Sequence, residues 1–471
     1  MMGELRLDKL PVEILRQICS KLPDIEDDGD YEVGAEPSLL ALSHVSRRLR
    51  SVAVAELFKF INPQHMYGGP RLTAFIPLLL SFMANPEMAA EVKDISTYPA
   101  LDLYRGTRDN HMDLVSAAEA LDVPVPRPLT WEEVYIYDVE DSKVEERKKG
   151  EVAQFLTEMI MAHTPNVRTV YYQRRNKATF FKTLSSVAKT TGSAPLLAKL
   201  HDFNIDNLGA ADNIQPLSEW APNLDSLWLE TVHGPVSELK FDTVRVLLLT
   251  MANLTGPEMK VLIRGFPNVK KFWFSWTEDL NTSDREFTLE PRQTAGGSRE
   301  CTPREMVEAL EPLQHQLTEL TLHSNAALLQ VPKARRDQLL DVVTSFKNFE
   351  VLERLDIDGV SLYDPWHHLY DGETADTVRR LGRMLPERLE TLDLMDLRRG
   401  PVDDDLLAFA SHVGQCCPKL RKIRYRRMLS TTDRSEVPPE ELEELKELFG
   451  KSGVEFEADE SGYYKVKSWR K

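Results

Sequence analysis

Cysteine is scarce in this sequence, and its scarcity argues against two kinds of structure. Four cysteines in 471 residues are too few for a disulfide framework in a chain of this length. None of them has the CxxC spacing with partner histidines that is typical of structural zinc. We therefore expect no metal site and a reducing compartment, cytoplasmic and/or nuclear.

Long apolar runs are also lacking. The nearest candidate, FIPLLLSFMA, is shorter than the roughly 20 residues that span a bilayer, and the N-terminus has no apolar signal core. Positive charge is in deficit, because 58 Lys and Arg are outnumbered by 75 Asp and Glu, for a net charge of −17. A broad nucleic-acid surface needs an excess of cations, so we do not expect nucleic acid as a partner. The lack of a spanning apolar run likewise leads us to expect no membrane as a partner.

Signatures of catalysis are missing too. The sequence contains no nucleophile elbow, Walker loop or dinucleotide fingerprint. His367 and His368 beside Asp364 could suggest a metal pair, but adjacent histidines in a strand point to opposite faces and no third ligand is placed. We expect a non-catalytic protein without a cofactor.

The N-terminal stretch LDKLPVEILRQICSKLP has the apolar spacing of a helix over residues 8–22. An acidic, glycine-containing segment follows, and a second helical pattern starts at Pro37. Apolar residues recur along both patterns every three or four positions. Two interpretations remain at this point: a face that docks into a groove of another protein, or a helical pair packed on the rest of the chain.

From about residue 150 the chain repeats an apolar-x-x-apolar-x-apolar unit. Side chains alternate between the two faces of a strand. The fourth and sixth positions of each unit therefore point to one face, and the third, fifth and seventh positions point to the other. Copies begin at Val167, Leu200, Leu224, Val244, Val269, Leu317, Leu352, Leu389 and Leu420, with a weaker copy at Val92.

Strands alternating with helices at a short period are typical of stacked repeats, and leucine-rich repeats run roughly 20–29 residues. We predict an α/β fold in which an N-terminal helical module precedes an irregular leucine-rich-repeat solenoid, or horseshoe. The predicted divisions are a helical module over 7–58, a helical connector with the first weak repeat and a linker over 59–150, a solenoid over 151–430 with a flexible insertion near 277–300, and a C-terminal cap and tail over 431–471.

The segments LDKLPVEILRQICSKLP and PSLLALSHVSRRLRSVAVAELF resemble, in this order, the F-box, a small helical module. The following LLLSFMANPEMAAEVKDIST and the degenerate repeats resemble the leucine-rich-repeat F-box proteins of fungi. Between residues 24 and 36 the sequence departs from the family, because the acidic loop is longer than the usual tight link.

The resemblance implies a partner: the S-phase-kinase-associated adaptor protein of the cullin ligase core. It favours the docking face over the packed helical pair. Nine residues match family positions that meet the adaptor or support that surface: Leu10, Pro11, Ile14, Leu15, Ile18, Leu22, Leu39, Leu42 and Val45.

The fifth position of each repeat is expected on the inner surface of the sheet. It is aromatic at Tyr171, Trp228 and Trp273, and acidic at Asp356 and Asp393. Exposed aromatic side chains are the usual anchors of protein interfaces, so we hypothesise that they bind a substrate protein. The alternatives are a sheet covered by a loop and side chains that fill a tight bend.

The last copy places three cations on one face. Lys422, Arg424 and Arg426 occupy its third, fifth and seventh positions and could receive a phosphate or an acidic tail. The alternative is a solvated edge of the last repeat.

Together these features predict a substrate-recognition subunit of an SCF-type (cullin-RING) E3 ubiquitin ligase. The F-box would bind the adaptor and the repeats would bind an unknown target protein. The chain would act by holding that target near the ubiquitin donor. The alternative is a leucine-rich-repeat interaction scaffold that does not direct ubiquitination.

Overall fold

The structure is a computed structural model that describes part of the 471-residue chain. The described residues are 9–21, 36–61, 75–97, 115–116, 118–119, 123, 154–173, 181–191, 195–206, 211–232, 236–252, 254–275, 301–323, 341–363, 380–396, 401–427 and 439–459.

Two compact units make up the chain. The first unit is Met1–Asn207 with Asn213–Asp225, and the second unit is Leu208–Asp212 with Ser226–Lys471. Both combine helices with parallel strands, so the fold is α/β as predicted, with a helical region at the N-terminus.

The first unit begins with three helices: α1 (Val12–Lys21), α2 (Glu36–Val45) and α3 (Arg47–Lys59). Its four parallel strands are β1 (Phe60–Ile61), β2 (Asp94–Thr97), β3 (Thr169–Gln173) and β4 (Asp202–Asp206). Its other described α-helices of four or more residues are Phe75–Ala84, Pro86–Ala89, 154–163, Lys182–Thr191 and Leu217–Trp220.

The second unit contains eight parallel strands paired in chain order. They are β5 (Ser226–Glu230), β6 (Val246–Thr250), β7 (Lys271–Ser275), β8 (Glu319–His323), β9 (Arg354–Asp358), β10 (Thr391–Asp396), β11 (Lys422–Arg427) and β12 (Glu455–Asp459). The described α-helices beside them are Gly256–Arg264, Pro303–Ala309, Gly359–Leu362, Arg380–Met384, Pro401–Ala410, Val413–Cys416 and Pro439–Lys451.

Each copy of the apolar repeat contains one of these strands, and the copies pair in register. In the second unit Leu227 aligns with Leu247, and Leu247 with Phe272. These fourth-position side chains are buried, as are the sixth-position ones such as Leu229 and Leu249. The alternation therefore packs the apolar side chains of neighbouring strands into one continuous core layer.

Several helix and strand predictions are wrong in detail. The pattern after Pro37 continues as one apolar stripe in the sequence, but the chain breaks it at Ser46 into α2 and α3. The apolar spacing of RRDQLLDVVTSF predicts a helix, but residues 341–346, its described part, have no regular structure. The two terminal strands, β1 and β12, were not predicted. No helix in the described ranges is both long and apolar enough to cross a membrane.

Candidate functional site

The N-terminal helical module has a small hydrophobic core. Helices α1 and α2 both pack against α3. The core side chains are Leu15, Cys19, Leu39, Leu49, Val52 and Ala53, with Leu10, Val12, Leu42 and Leu57 packed partly buried against them. The module therefore has an interior of its own.

The sequence VSRRLR fixes the three helices to one another. Ser46 is the N-cap of α3, and its Oγ accepts a hydrogen bond from the Leu49 amide at 3.2 Å. Nη2 of Arg48 donates to the carbonyl of Leu10 at 2.8 Å, and Nε of Arg50 donates to the carbonyl of Ser43 at 3.1 Å. These two arginines join the start of α1 and the end of α2 to α3.

Large apolar side chains remain outside this core. Ile14 on α1 is 40% exposed, and on α2 Leu40 is 50% and Val45 is 68% exposed. Pro11, which precedes α1, is also exposed. Because none of these residues belongs to the core, their side chains can contact another protein.

The nine predicted adaptor-binding residues differ in their exposure. Leu15 and Leu39 are buried and support the module from within. Pro11, Ile14 and Val45 are exposed, Leu10, Ile18 and Leu42 are partly buried, and Leu22 lies outside the described residues. Leu40 was missed, because α2 reads LLAL and an almost wholly apolar stretch has no periodicity that tells an inward leucine from an outward one.

A second surface is the strand face, which we define as the face of β5–β12 that carries the third, fifth and seventh repeat positions. The parallel register aligns its fifth positions in one row across the strands. From β5 to β12 the row is Trp228, Leu248, Trp273, Thr321, Asp356, Asp393, Arg424 and Glu457. The row changes from apolar to charged as it crosses the strands.

The two tryptophans of the strand face are partly buried. Nε1 of Trp228 donates to Oγ1 of Thr250 at 2.8 Å. The ring of Trp273 meets His323 edge to face, with centroids 6.4 Å apart. Tyr171, the third predicted aromatic residue, lies in the first unit on β3, aligned with Ser96 and Asn204.

The three predicted phosphate-binding cations already have carboxylate partners. Lys422 contacts Glu457 and Glu455, the latter at 3.2 Å. Nε of Arg424 lies 3.3 Å from Glu457, and its Nη1 lies 3.5 Å from Asp393. These carboxylates compete with any incoming anion.

Arg426, the third of these cations, contacts a carboxylate two strands away. Its Nη2 donates to Oδ2 of Asp356 at 2.8 Å, from β11 across β10 to β9. The other oxygen of Asp356 accepts from Nε2 of His323 at 2.8 Å. His323 was not predicted as a site residue. It occupies the seventh position of the copy that begins at Leu317, and its contact with Asp356, 33 positions away, depends on strand pairing rather than on local sequence.

The carboxylate of Asp393 has less support than that of Asp356. Its side chain is 7% exposed, and its Oδ1 accepts no hydrogen bond from any described residue. Burial raises the pKa of Asp393, and the charge of Asp356 raises it further, although nearby arginines oppose the shift. Across the described ranges, no group of three or more His, Cys, Asp or Glu side chains has the arrangement of a metal site.

Comparison with known families agrees with the geometry of the N-terminal module. Residues 7–63 match the family model described as F-box-like. The chain therefore has an F-box-like domain, which supports an F-box protein, and domains of this kind are typically non-catalytic adaptor modules. An F-box domain implies binding to an S-phase-kinase-associated adaptor in SCF complexes. No curated protein matches the chain.

Proposed function

We propose that this chain is a substrate-recognition subunit of an SCF-type cullin-RING ubiquitin ligase. The F-box-like domain docks to the S-phase-kinase-associated adaptor, and the strands that follow bind the target protein. The observation that carries the proposal is the set of exposed apolar residues, Ile14, Leu40 and Val45, on a domain whose core is already filled.

Burying the exposed Ile14, Leu40 and Val45 against a partner would contribute a substantial part of the binding free energy. Full burial of a large aliphatic side chain stabilises by about 1.5–3 kcal/mol, so burying the exposed part of three such residues contributes roughly 2–5 kcal/mol. This is a fraction of the roughly 12 kcal/mol of a nanomolar complex. The adaptor interface therefore needs further contacts. The partly buried Leu10 and Ile18 lie four positions before and after Ile14, and Leu42 lies two positions after Leu40.

The proposal extends to the architecture. The strands form an irregular leucine-rich-repeat horseshoe like that of fungal F-box proteins, with a solenoid over 151–430, a connector over 59–150 and a C-terminal region over 431–471. Support comes from the in-register pairing of the copies and the burial of their fourth and sixth positions. In this arrangement the chain brings a target close to the ubiquitin donor.

The test compares partners and ubiquitination in cells that express the chain. The Ile14→Ala/Val45→Ala variant removes exposed apolar side chains, and Arg16→Ala/His44→Ala is a control at exposed polar positions of the same helices. We expect the first variant to bind the adaptor at least about tenfold more weakly than the wild type and the control to bind it equally well. A protein that is ubiquitinated with the wild-type chain should accumulate with the first variant.

Two results would contradict the proposal. One is full adaptor binding by a folded Ile14→Ala/Val45→Ala variant. The other is that the chain binds the adaptor and partner proteins, but the ubiquitination and abundance of those partners do not change when the chain is deleted. That result would indicate a scaffold that does not direct ubiquitination.

A further inference from the structure

The charges of the strand face indicate which chemistry a target needs. Three of its cations are closely engaged by carboxylates of the same face: Lys271 with Glu319 at 2.8 Å, Arg426 with Asp356 at 2.8 Å, and Arg424 with Glu457 at 3.3 Å. A fourth, Arg354, lies farther from its nearest carboxylate partner, 3.9 Å from Glu319. An acidic or phosphorylated segment would have to displace these carboxylates. The face is therefore poorly suited to an anion.

Asp393 presents the opposite situation. It is an anionic group with its side chain more than nine-tenths buried, and its Oδ1 has no described hydrogen-bond donor. Among the described residues its one ion-pair contact is with Arg424, at a long 3.5 Å, and that arginine also contacts Glu457. A buried polar oxygen without a donor is costly, so a ligand that brings a donor gains what the free protein lacks.

The apolar end of the same row offers an anchor. Trp228, Leu248 and Trp273 are aligned on three neighbouring strands and partly exposed. Thr250 accepts the hydrogen bond of the Trp228 indole, and the rings of His323 and Trp273 meet nearly at right angles. Fixed aromatic side chains bury large areas at a low cost in conformational entropy.

We infer that the strand face binds a target segment that carries an apolar side chain for the Trp228–Trp273 row and a basic side chain for Asp393. This deepens the proposed function and rests on it, since it names the class of target. Trp273 and Asp393 are three strands apart in register, or about 14 Å at the usual spacing of about 4.8 Å. An extended segment crossing the strands covers this distance in about four residues.

The test is selection of a random peptide-display library on the full chain. Enriched sequences should pair an aromatic or aliphatic residue with Arg or Lys about four positions away. For a selected peptide, Asp393→Asn should weaken binding about tenfold, in line with the loss of a charged hydrogen bond, and Trp228→Ala/Trp273→Ala should remove measurable binding. The matched control is Glu455→Gln on β12, whose carboxylate is largely exposed and should matter less than twofold.

A thermodynamic cycle separates a direct contact from a structural effect. Replacing the basic residue of the peptide with Gln should cost about tenfold with the wild-type chain and almost nothing with Asp393→Asn, because coupled pairs are not additive. Equal losses with both proteins would overturn the inference. So would enrichment of acidic peptides, insensitivity to Asp393→Asn, or no enrichment.

Adaptor binding is measured on the same preparations, so that failure of the target-class inference can be distinguished from failure of the proposed function. If the adaptor binds and no basic–apolar peptide is selected, the target class is wrong and the proposed function stands. If the adaptor does not bind, the proposed function fails whatever the peptide result. Thermal unfolding of each variant confirms that it is folded.

Discussion

His323 and Asp356 form a buried pair on neighbouring strands, with 2.8 Å between Nε2 of the imidazole and Oδ1 of the carboxylate. Burial opposes charge on His323, but Asp356 outweighs it, so the pKa of His323 lies above its usual 6.5. Burial alone would raise the pKa of Asp356, but the positive charges and hydrogen bonds of His323 and Arg426 outweigh burial and lower it. Each partner therefore favours the charged form of the other, and the contact links the neighbouring strands β8 and β9.

The raised pKa of His323 predicts a specific dependence of stability on pH. A group whose pKa is raised by folding contributes its stabilisation fully below its unfolded pKa and loses it as the pH rises through the folded value. The free-energy advantage of the wild type over His323→Gln should be about 1.5–3 kcal/mol under acidic conditions and should shrink above pH 6.5. Urea unfolding from about pH 5.5 to about pH 9 measures it; an advantage that grows with pH would contradict the assignment.

Glu158 gives a second prediction, in the first unit. It is fully buried, and burial raises its pKa to about 7, although hydrogen bonds from Gln154 and from the amides of Leu184 and Thr183 oppose the shift. Folding therefore favours its protonated form, so its contribution to stability is lost as the pH rises from 4.5 to about 7. At about 1.4 kcal/mol per pH unit this amounts to about 3 kcal/mol.

The matched variant for that prediction is Glu158→Gln, which keeps an acceptor for the two amides of the helix Lys182–Thr191. Its unfolding free energy should change less between these pH values than that of the wild type. Identical pH profiles for the two proteins would show that Glu158 does not titrate in this range.

The break between α2 and α3 depends on a cap. Ser46→Ala removes the side-chain acceptor for the Leu49 amide, and we expect a loss of about 1 kcal/mol. Ser51→Ala is the control, because Ser51 is exposed within α3 and its hydroxyl donates only to the local Arg48 carbonyl. Equal effects of the two changes on the unfolding midpoint would argue against the cap.

Core and surface residues of the F-box-like domain should respond differently. Leu15→Ala creates a cavity among Cys19, Leu39 and Leu49 and should cost about 2–5 kcal/mol. Ile14→Ala, one residue earlier, removes a side chain that is 40% exposed and should cost less than about 1 kcal/mol. Similar losses in denaturant unfolding would show that Ile14 belongs to the core.

The repeat strands could be predicted because burial imposes a rule on single positions. The fourth and sixth positions must be apolar wherever a strand packs against the layer behind it, as at Leu227 and Leu229. The two terminal strands, β1 and β12, do not follow this pattern fully. Strand β12 has Phe456 in register with Ile423 but Ala458 in register with Tyr425, and β1 is only two residues long.

The chemistry of the strand face was less accessible to sequence reasoning. The pairing of His323 with Asp356 joins residues 33 positions apart, and that of Arg426 with Asp356 spans 70 positions. Such contacts depend on strand register and side-chain reach, neither of which is set by local periodicity. The same limit applies at Ser46, where a capping residue interrupts an apolar stripe that is otherwise continuous.

The central claim is that apolar side chains on α1 and α2 bind the S-phase-kinase-associated adaptor. Calorimetric titration of the purified adaptor into the full chain tests it most directly. We predict that Ile14→Ala/Val45→Ala weakens binding at least about tenfold, in line with the loss of about 1.4 kcal/mol or more of apolar burial, while its unfolding midpoint is almost unchanged. An affinity equal to that of the wild type in a folded variant would contradict the claim.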